Sequence, residues 1–351
     1  MVADGSQTVL DFLVQYGLFL AKAVTVVVSV AAIALTIAGL ARRGGSGSGL
    51  EVEKLNERYR ELARTLRHAV LSKAEWKKES KREQKDLKAA EKAAAKSGGG
   101  RRRVFVLDFR GDIRATAVAS LREEISAVVS VARPEDEVVL RLENFGGTVH
   151  EHGLAASQLR RIRDHGLRLT AIVDKAAASG GYMMACIAHQ VIAAPFAIVG
   201  SIGVLAQIPN FNKLLTERGI EFEQITAGKY KRTVTMFGPT TDDDRAKLRE
   251  ELEEVHAMFK QLISEHRPQL DIEKVATGEH WYGSRAKELG LVDTLGSSDD
   301  YLLKAAAEAD LFHVTYKVKH TLQERIFAAV RAAAGHVDLG ILQREREGRY
   351  P

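Results

Sequence analysis

The chain has 351 residues, of which 45% are hydrophobic and 28% are charged. This length suits one large globular domain with an appendage, or two modest domains. The single cysteine, Cys186, excludes an intramolecular disulfide framework and any zinc site built on several cysteines. The formal net charge of +5 is concentrated in residues 51–103, where basic residues are nearly twice as numerous as acidic ones. Such a local basic arm favours a membrane surface or another anionic partner over a nucleic-acid-binding fold.

An uncharged apolar stretch covers residues 23–41. As a helix it spans roughly 28 Å, which matches the hydrocarbon core of a bilayer. Lys22 at one end and Arg42 and Arg43 at the other are placed to reach the lipid headgroups. We therefore predict one transmembrane helix over residues 23–41, within an N-terminal membrane anchor of residues 1–43. A removable signal peptide is the weaker alternative, because the preceding residues are not basic and no small-residue cleavage site follows.

The basic arm predicts a helical stalk. After a glycine-rich spacer, Leu55, Tyr59, Leu62 and Leu66 recur at alternating steps of four and three residues, which is typical of a coiled-coil-like seam. The part that follows is almost wholly Lys, Glu, Gln and Ala, so it is either a solvated helix or tether, or a contact with acidic headgroups. We expect residues 44–103 to form this basic helical stalk and linker.

From Val104 onward, strand patterns alternate with helix patterns. The predicted strands are 104–109, 137–142 and 167–173, and the predicted helices between them are 117–132 and 149–165. A βαβαβ order predicts a largely parallel sheet. A further helix is predicted over 242–267, with Thr241 and Asp244 as a capping pair, and is followed by a strand over 313–319 and an amphipathic helix over 321–334.

Two glycine-containing turns follow predicted strands, at the position where open α/β sheets bind ligands. The first is NFGGT at Asn144–Thr148, and the second is AAASGGY at Ala176–Tyr182. In the first turn, glycines allow a substrate carbonyl to approach the backbone, and free amides at a helix start can form half of an oxyanion hole. The plain alternative is an ordinary connection between a strand and a helix.

Ser179 has the setting of a nucleophile, since it lies between small residues at a helix start and the Gly180 amide faces the same site. An isolated serine there would also serve as a helix N-cap. Among the eleven histidines, none is favoured as its base. His150 and His152 lie near a polar helix start and have no carboxylate to orient them except Glu151. A lysine whose pKa is lowered by desolvation is the alternative base.

Four segments carry a resemblance to a known family. They are DKAAASGGYMMAC (Asp174–Cys186), APFAIVGSIGV (Ala194–Val204), AGKYKRT (Ala227–Thr233) and ATGEHWYGSRAKELGLVD (Ala276–Asp293). Together they resemble the signal peptide peptidase A family of Ser-Lys peptidases. The N-terminal YGLFLAK, the basic stalk and the phrase HGLAASQL narrow the resemblance to the SohB branch of that family. The resemblance runs over nearly the whole chain.

The resemblance implies roles for individual residues. Ser179 corresponds to the family's nucleophile. Lys231, rather than Lys229, corresponds to its general base, and Ser201 is expected to hydrogen-bond and orient that lysine. The implied site contains no metal and needs no cofactor.

The resemblance also places the oxyanion-hole amides at Gly147 and Gly180. The chain departs from the family in the first turn, where Asn144 and Phe145 replace the usual Ser-Pro. The glycine pair is retained, so an oxyanion hole is still expected. However, the turn loses the fixed φ of proline, and the shape of the neighbouring subsite is expected to differ.

The fold implied is an α/β, ClpP/crotonase-like spiral of βα units over residues 104–320, preceded by one transmembrane helix and the helical stalk. Residues 321–351 are expected to form a C-terminal helix and basic tail. Family members assemble into rings or domes that enclose their active sites, so a homo-oligomer is expected. The other expected partners are peptide or protein substrates and the lipid bilayer, with no nucleic acid.

The expected function is that of a single-pass serine endopeptidase in the bacterial inner membrane, which cleaves signal-peptide-like or unfolded hydrophobic peptides through an acyl-enzyme. The charge on either side of the span favours a cytoplasmic peptidase domain, whereas many family members face the outside.

Two alternative functions stay open. A crotonase-like acyl-transfer enzyme is one alternative, although it leaves Lys231 unexplained. A catalytically silent membrane scaffold is another, disfavoured by the presence of Ser179 and Lys231. Cys186 is assigned to core packing.

Overall fold

The computed structural model of the chain describes residues 15–29, 49–96 and 101–318. Residues 15–29 form a helix, α1, in a unit separate from the larger unit Leu50–Val318. Within the described ranges, no helix is long and apolar enough to cross a membrane. The predicted transmembrane span overlaps α1 only as far as Ser29, and residues 30–41 lie outside the described residues, as does the helix predicted over 321–334.

The larger unit contains the following strands and helices. Its strands are β1 (Leu50–Lys54), β2 (Arg103–Gly111), β3 (Glu137–Asn144), β4 (Arg168–Val173), β5 (Ala176–Ala178), β6 (Gln190–Ala193), β7 (Ile198–Gly200), β8 (His280–Tyr282), β9 (Thr294–Leu295) and β10 (Asp310–Tyr316). Its helices are α2 (Leu55–Val70), α3 (Lys73–Lys96), α4 (Val118–Val131), α5 (Val149–Asp164), α6 (Gly180–Ala185), α7 (Asn212–Glu217), α8 (Asp242–His266), α9 (Ile272–Val275), α10 (Gly283–Glu288) and α11 (Ser298–Glu308).

The main sheet has the strand order β1-β10-β2-β3-β4-β6-β9. All neighbours are parallel except β1, which pairs antiparallel with β10 at one edge. Along β2, Phe105 and Leu107 pack into the apolar cluster on one face, and Val104 and Val106 pack into the cluster on the other. A strand that is buried on both faces has a nearly continuous apolar sequence, and such strands are typical of parallel sheets. The mixed α/β fold and the predicted βαβαβ order are therefore confirmed.

A short branch of the sheet forms the site region. β3 pairs with β5 through Asn144 and Ala177, β5 runs parallel to β7, and β7 pairs antiparallel with β8. None of the strands from β5 to β9 was predicted, because each is only two to four residues long. The carboxyl ends of β3, β5 and β7 consequently lie side by side, and the residues after them meet at one edge.

The start of the expected stalk packs against the sheet. Leu55 is buried, and the Asn56 side chain donates to the carbonyl of Ala309 at 2.9 Å and accepts from the amide of Leu311 at 2.7 Å. Farther along α2, Leu62 and Leu66 are exposed. The region 44–103 thus supplies the edge strand β1 and the anchored start of α2 to the same unit as the sheet.

The long helix α8 begins where the sequence predicts. The hydroxyl of Thr241 accepts from the amide of Asp244 at 3.1 Å, and the Asp244 carboxylate accepts from the amide of Thr241 at 2.9 Å. This reciprocal capping box satisfies two amides that the first helical turn leaves unpaired. The predicted capping pair is confirmed.

Candidate active site

Ser179 occupies a strained turn between β5 and α6. Its φ of 53° and ψ of −118° are unusual for a residue with a side chain, and such a conformation costs about 1–3 kcal/mol. The surrounding structure holds it there, since the Ser179 amide donates to the carbonyl of Gly200 at 2.7 Å. A half-buried serine on a sharp strand-to-helix turn is the arrangement that presents a nucleophile to substrate.

Ser201 is brought beside Ser179 by strand pairing. Ala178 and Gly200 are register partners at the ends of β5 and β7, and a serine follows each of them. Ser201 is also half-buried and has a positive φ of 52°. Its amide donates to the carbonyl of Glu279 at 2.6 Å. Two serines in strained turns therefore lie at the ends of adjacent strands.

The first glycine turn touches the second. Gly146 has a φ of 91°, and a Cβ added to it would lie 2.7 Å from the Cβ of Ser179 and 3.0 Å from the amide nitrogen of Gly180. This approach requires glycine on both steric and conformational grounds. A Cβ on Gly147 would overlap the backbone of Ile113. The two turns that the sequence indicated separately thus form one site.

The two amides that the sequence assigns to the oxyanion hole are unpaired. Over the described part of the chain, the amides of Gly147 and Gly180 have no hydrogen-bond acceptor. Gly180 is the first residue of α6, and the amides of a first helical turn have no partner within their helix. The neighbouring amide of Gly146 is instead engaged by the Asn144 side chain. The two amides that the resemblance assigns to the oxyanion hole are thus without an acceptor among the described residues, and their role stays a prediction.

His152 lies under the nucleophile turn, which sequence reasoning missed. It is fully buried, and its ring packs so closely that a Cβ on Gly180 would overlap it. Its Nδ1 lies 2.9 Å from the carbonyl of Thr148, and its Nε2 lies 3.1 Å from Nδ2 of Asn144. The sequence places His152 near a polar helix start, and it does lie in the first turn of α5, but its burial was not predicted. The only unusual feature of the sequence near this contact is Asn144, which replaces the serine of the family's Ser-Pro.

The buried histidine does not serve as a base for Ser179. Both of its ring nitrogens are occupied by Thr148 and Asn144, so neither is free to accept the serine proton. His150 is exposed beside Glu151 at 3.8 Å. The contacts within the described residues therefore give no histidine partner for the Ser179 hydroxyl.

The two candidate lysines lie in a turn between α7 and α8. A hydrogen bond with Tyr230 and an ion pair with Asp243 at 3.4 Å raise the pKa of Lys229, whose ammonium group lies over the Tyr230 ring. Lys231 is exposed, and its side chain has no hydrogen bond or ion pair among the described residues. Lys229 is thus held in an ion pair with Asp243, whereas the Lys231 side chain has no such partner among the described residues.

Cys186 is excluded as a competing nucleophile. It is completely buried in the core, and burial raises the pKa of its thiol to about 12. A thiol with such a pKa is protonated at neutral pH and is a poor nucleophile. Its assignment to core packing is confirmed.

Comparison with protein-family models gives two adjoining matches. The model of the peptidase family S49 N-terminal region matches residues 11–159, and the model of peptidase family S49 matches residues 161–312. Together they cover most of the chain. The chain therefore belongs to peptidase family S49 and is a serine peptidase, a hydrolase that acts on peptide bonds.

Curated relatives narrow this assignment. The chain is 46% identical over 321 residues to a probable protease SohB of Haemophilus influenzae, covering 89% of this chain and 91% of the relative. It is 44% identical over 322 residues to a probable protease SohB of Buchnera aphidicola subsp. Acyrthosiphon pisum, covering 92% and 95%. Within family S49, the chain is therefore a SohB-type peptidase.

Solved structures give only distant likenesses. An enoyl-CoA hydratase/isomerase from Marinobacter aquaeolei aligns with a TM-score of 0.34 and 15% identity, over 56% of this chain and 67% of that one. A membrane-bound stomatin-specific protease aligns with a TM-score of 0.38 and 15% identity, over 59% and 85%. Neither likeness is close enough to carry an argument.

Proposed function

We propose that this serine peptidase uses a Ser-Lys dyad, with Ser179 as nucleophile and Lys231 as general base. The observation that carries the proposal is the strained turn of Ser179 beside two unpaired amides, with both nitrogens of the nearby His152 already engaged. A serine in this setting needs a base other than histidine. The neutral amine of a lysine supplies one when desolvation lowers its pKa.

The proposed reaction is acyl transfer to Ser179. Its Oγ attacks the carbonyl carbon of the scissile bond, and its proton passes to Nζ of Lys231. The amides of Gly147 and Gly180 donate to the oxyanion of the tetrahedral intermediate. On collapse, the leaving amine takes the proton from Lys231, and water then hydrolyses the acyl-enzyme with Lys231 again as base. Lys231 makes no hydrogen bond to Ser201 among the described residues, so the proposal requires Lys231 to move against the site, where Ser201, at the end of the neighbouring strand, would hydrogen-bond and orient its amine.

Lys231 must lose solvent to act in this way, and a homo-oligomer would achieve that. The segment that carries Lys231 also presents partly or fully exposed apolar side chains. They are Leu205, Ile208, Phe211, Leu214, Ile220, Phe222, Ile225, Tyr230, Met236 and Phe237. An apolar surface of this extent favours association, and we propose that another copy of this chain covers it. Light scattering should report a mass of several chains, and Ile225→Asp should lower both that mass and the activity.

The proposed substrates are extended hydrophobic peptides, such as released signal peptides or unfolded segments. The exposed Phe145 is part of the first glycine turn, where it would contact a substrate side chain. We propose that residues 23–41 anchor the enzyme in the bacterial inner membrane, on the basis of their uncharged apolar sequence. The charge bias favours a cytoplasmic peptidase domain. Protease digestion of the C-terminus in spheroplasts from the outside would contradict that orientation.

A fluorophosphonate probe tests the dyad, because it phosphonylates only an activated serine. The wild-type protein should be labelled, and peptide mapping should place the label on Ser179. Ser179→Ala should abolish labelling, and Lys231→Ala should slow it strongly. Labelling at another residue, or equal labelling of Ser179→Ala, would refute the assignment. An enzyme of the crotonase-like acyl-transfer type would not be labelled at all.

A further inference from the structure

Two buried polar side chains next to Ser179 have no part in the proposed chemistry. Asn144, the last residue of β3, and His152, in the first turns of α5, are both completely buried. Burying polar groups is unfavourable unless their hydrogen bonds are satisfied, so such pairs persist where their bonds fix a structure. The partners of these two residues are all in the proposed oxyanion hole or next to it.

The hydrogen bonds of the pair run in one consistent direction. The carbonyl of Thr148 can only accept, so His152 Nδ1, 2.9 Å away, carries the hydrogen. Nε2 lies 3.1 Å from Nδ2 and 3.2 Å from Oδ1 of Asn144, and in the neutral imidazole it accepts from Nδ2. The amide oxygen of Asn144 accepts in turn from the amide of Gly146. The chain of bonds therefore leaves the turn at Gly146 and returns to it at Thr148, with Gly147 between them.

The same pair contacts the backbone that follows the nucleophile. The ring of His152 lies where a Cβ of Gly180 would be, and the carbonyl of Asn144 lies where a Cβ of Gly181 would be. Asn144 is also held by its strand partners, Gly111 on β2 and Ala177 on β5. The pair thus touches both turns that carry the unpaired amides.

We infer that Asn144 and His152 form a positioning pair, which holds the amides of Gly147 and Gly180 in the mutual arrangement that an oxyanion requires. The inference rests on the proposed Ser179 mechanism. Preorganised donors accelerate acyl transfer because they need no rearrangement when charge develops. The turn lacks a proline, so its conformation is not fixed by the backbone itself. The hydrogen bonds from Gly146 through Asn144 and His152 to Thr148 fix it instead.

The test compares Asn144→Leu and His152→Phe with the wild type, since both changes keep side-chain size and remove the hydrogen bonds. We measure KM and kcat on an unstructured peptide, with kcat expressed per site titrated by the fluorophosphonate. The expected result is a fall in kcat per titrated site of about 10- to 100-fold, with KM changed less than about threefold. Binding of a peptide aldehyde, whose adduct places an oxygen in the hole, should weaken by a similar factor.

The matched control is Thr170→Val. Thr170 is equally buried, on β4, and its hydroxyl donates to Glu137 at 2.6 Å, so the control also removes a buried hydrogen bond. A purely structural loss reduces the number of titratable sites but leaves kcat per site at the wild-type value. That is the result expected for Thr170→Val. Asn144→Asp keeps the oxygen that accepts from Gly146, and it should stay within about tenfold of the wild-type kcat per site.

The outcomes separate the inference from the mechanism on which it rests. An unlabelled Ser179 in the wild type would overturn both. A labelled Ser179 with unchanged kcat per site in the variants, or with an equal loss in Thr170→Val, would overturn the positioning role alone. If His152→Phe does not fold, His152→Leu carries the same expectation, because it also removes both ring nitrogens and their hydrogen bonds.

Discussion

The amide of Ser179 donates a 2.7 Å hydrogen bond to the carbonyl of Gly200, and this bond holds the serine at a φ of 53°. The bond joins the end of β5 to the end of β7. It therefore fixes the strained turn of Ser179 to the strand that precedes Ser201. The two serines are positioned by backbone pairing rather than by their own side chains.

Because Ser179 is strained, we expect a glycine at this position to stabilise the protein although it removes activity. Glycine adopts positive φ without penalty, whereas alanine retains the steric conflict of a Cβ. Ser179→Gly and Ser179→Ala should both be inactive, but Ser179→Gly should unfold with a free energy about 1 kcal/mol higher than that of Ser179→Ala. Urea denaturation followed by circular dichroism measures the difference. Equal stabilities would mean that the turn relaxes when the hydroxyl is removed.

The choice between two neighbouring lysines predicts opposite phenotypes. Lys231→Ala should lose nearly all turnover, by a factor of about 10⁴ or more, while still folding. Lys229→Ala should retain most activity, because Lys229 is paired with Asp243 and remains a cation. Lys231→Arg should not restore turnover, since a guanidinium stays protonated. Steady-state hydrolysis of a fluorogenic peptide compares the three variants, and an inactive Lys229→Ala would reverse the assignment.

Two glycines predict opposite responses to the same substitution. Gly180→Ala places a methyl group where the His152 ring lies, so it should destabilise the protein by about 1–3 kcal/mol and abolish activity. Gly153→Ala, in α5, meets nothing within 4 Å and should stabilise by up to about 1 kcal/mol. Thermal unfolding and peptide hydrolysis measure both effects. A fully active Gly180→Ala would show that the His152 ring moves aside without consequence.

An ion pair between a buried arginine after α8 and a partly exposed aspartate before β9 predicts a measurable effect on stability. Arg267, only 2% exposed, binds Asp293 through two bonds of 2.7 and 2.8 Å and donates to the carbonyl of Gly290 at 3.0 Å. Arg267→Leu removes these bonds, but solvent still reaches the Asp293 carboxylate, so it should reduce the free energy of unfolding by about 1–3 kcal/mol. Arg285→Ala breaks an exposed ion pair and should cost less than about 1 kcal/mol. Chemical denaturation compares the two, and equal effects would contradict the prediction.

The buried carboxyl of Glu124, which contacts the end of β10, should make the free energy of unfolding depend on pH. It is buried, accepts from the amide of Tyr316 at 2.8 Å, and burial raises its pKa to about 7. Because the folded state favours the protonated acid, this contribution is fully present below about pH 4.5. It is lost as the pH rises towards and through 7.

Two glutamine variants, Glu124→Gln and Glu123→Gln, test this pH dependence. The free energy of unfolding of the wild type, relative to Glu124→Gln, should fall by at most about 3 kcal/mol between pH 4.5 and 8. Glu123→Gln, at an exposed neighbouring position, should show no such pH dependence relative to the wild type. A flat difference for Glu124→Gln would mean that the carboxyl is ionised in the folded protein throughout this range.

The sequence by itself determined the regular elements with long periodic patterns. The strands β2, β3 and β4, the helices α4, α5 and α8 and the Thr241 capping box follow from spacing and capping residues within a few turns of chain. It also indicated Ser179 and the two glycine turns, because small residues after a strand are a local signal. Family resemblance, rather than pattern, selected Lys231 and Ser201.

Only the tertiary structure decided which distant segments meet. The pairing of β1 with β10, the single link between Asn144 and Ala177 and the approach of Gly146 to Ser179 join residues far apart in the chain. The inward position of His152 depends on how α5 packs against α6, which its mixed polar sequence does not encode. Local periodicity sets backbone conformation, but burial and contact depend on the path of the whole sheet, and this is why the positioning pair was visible only in the fold.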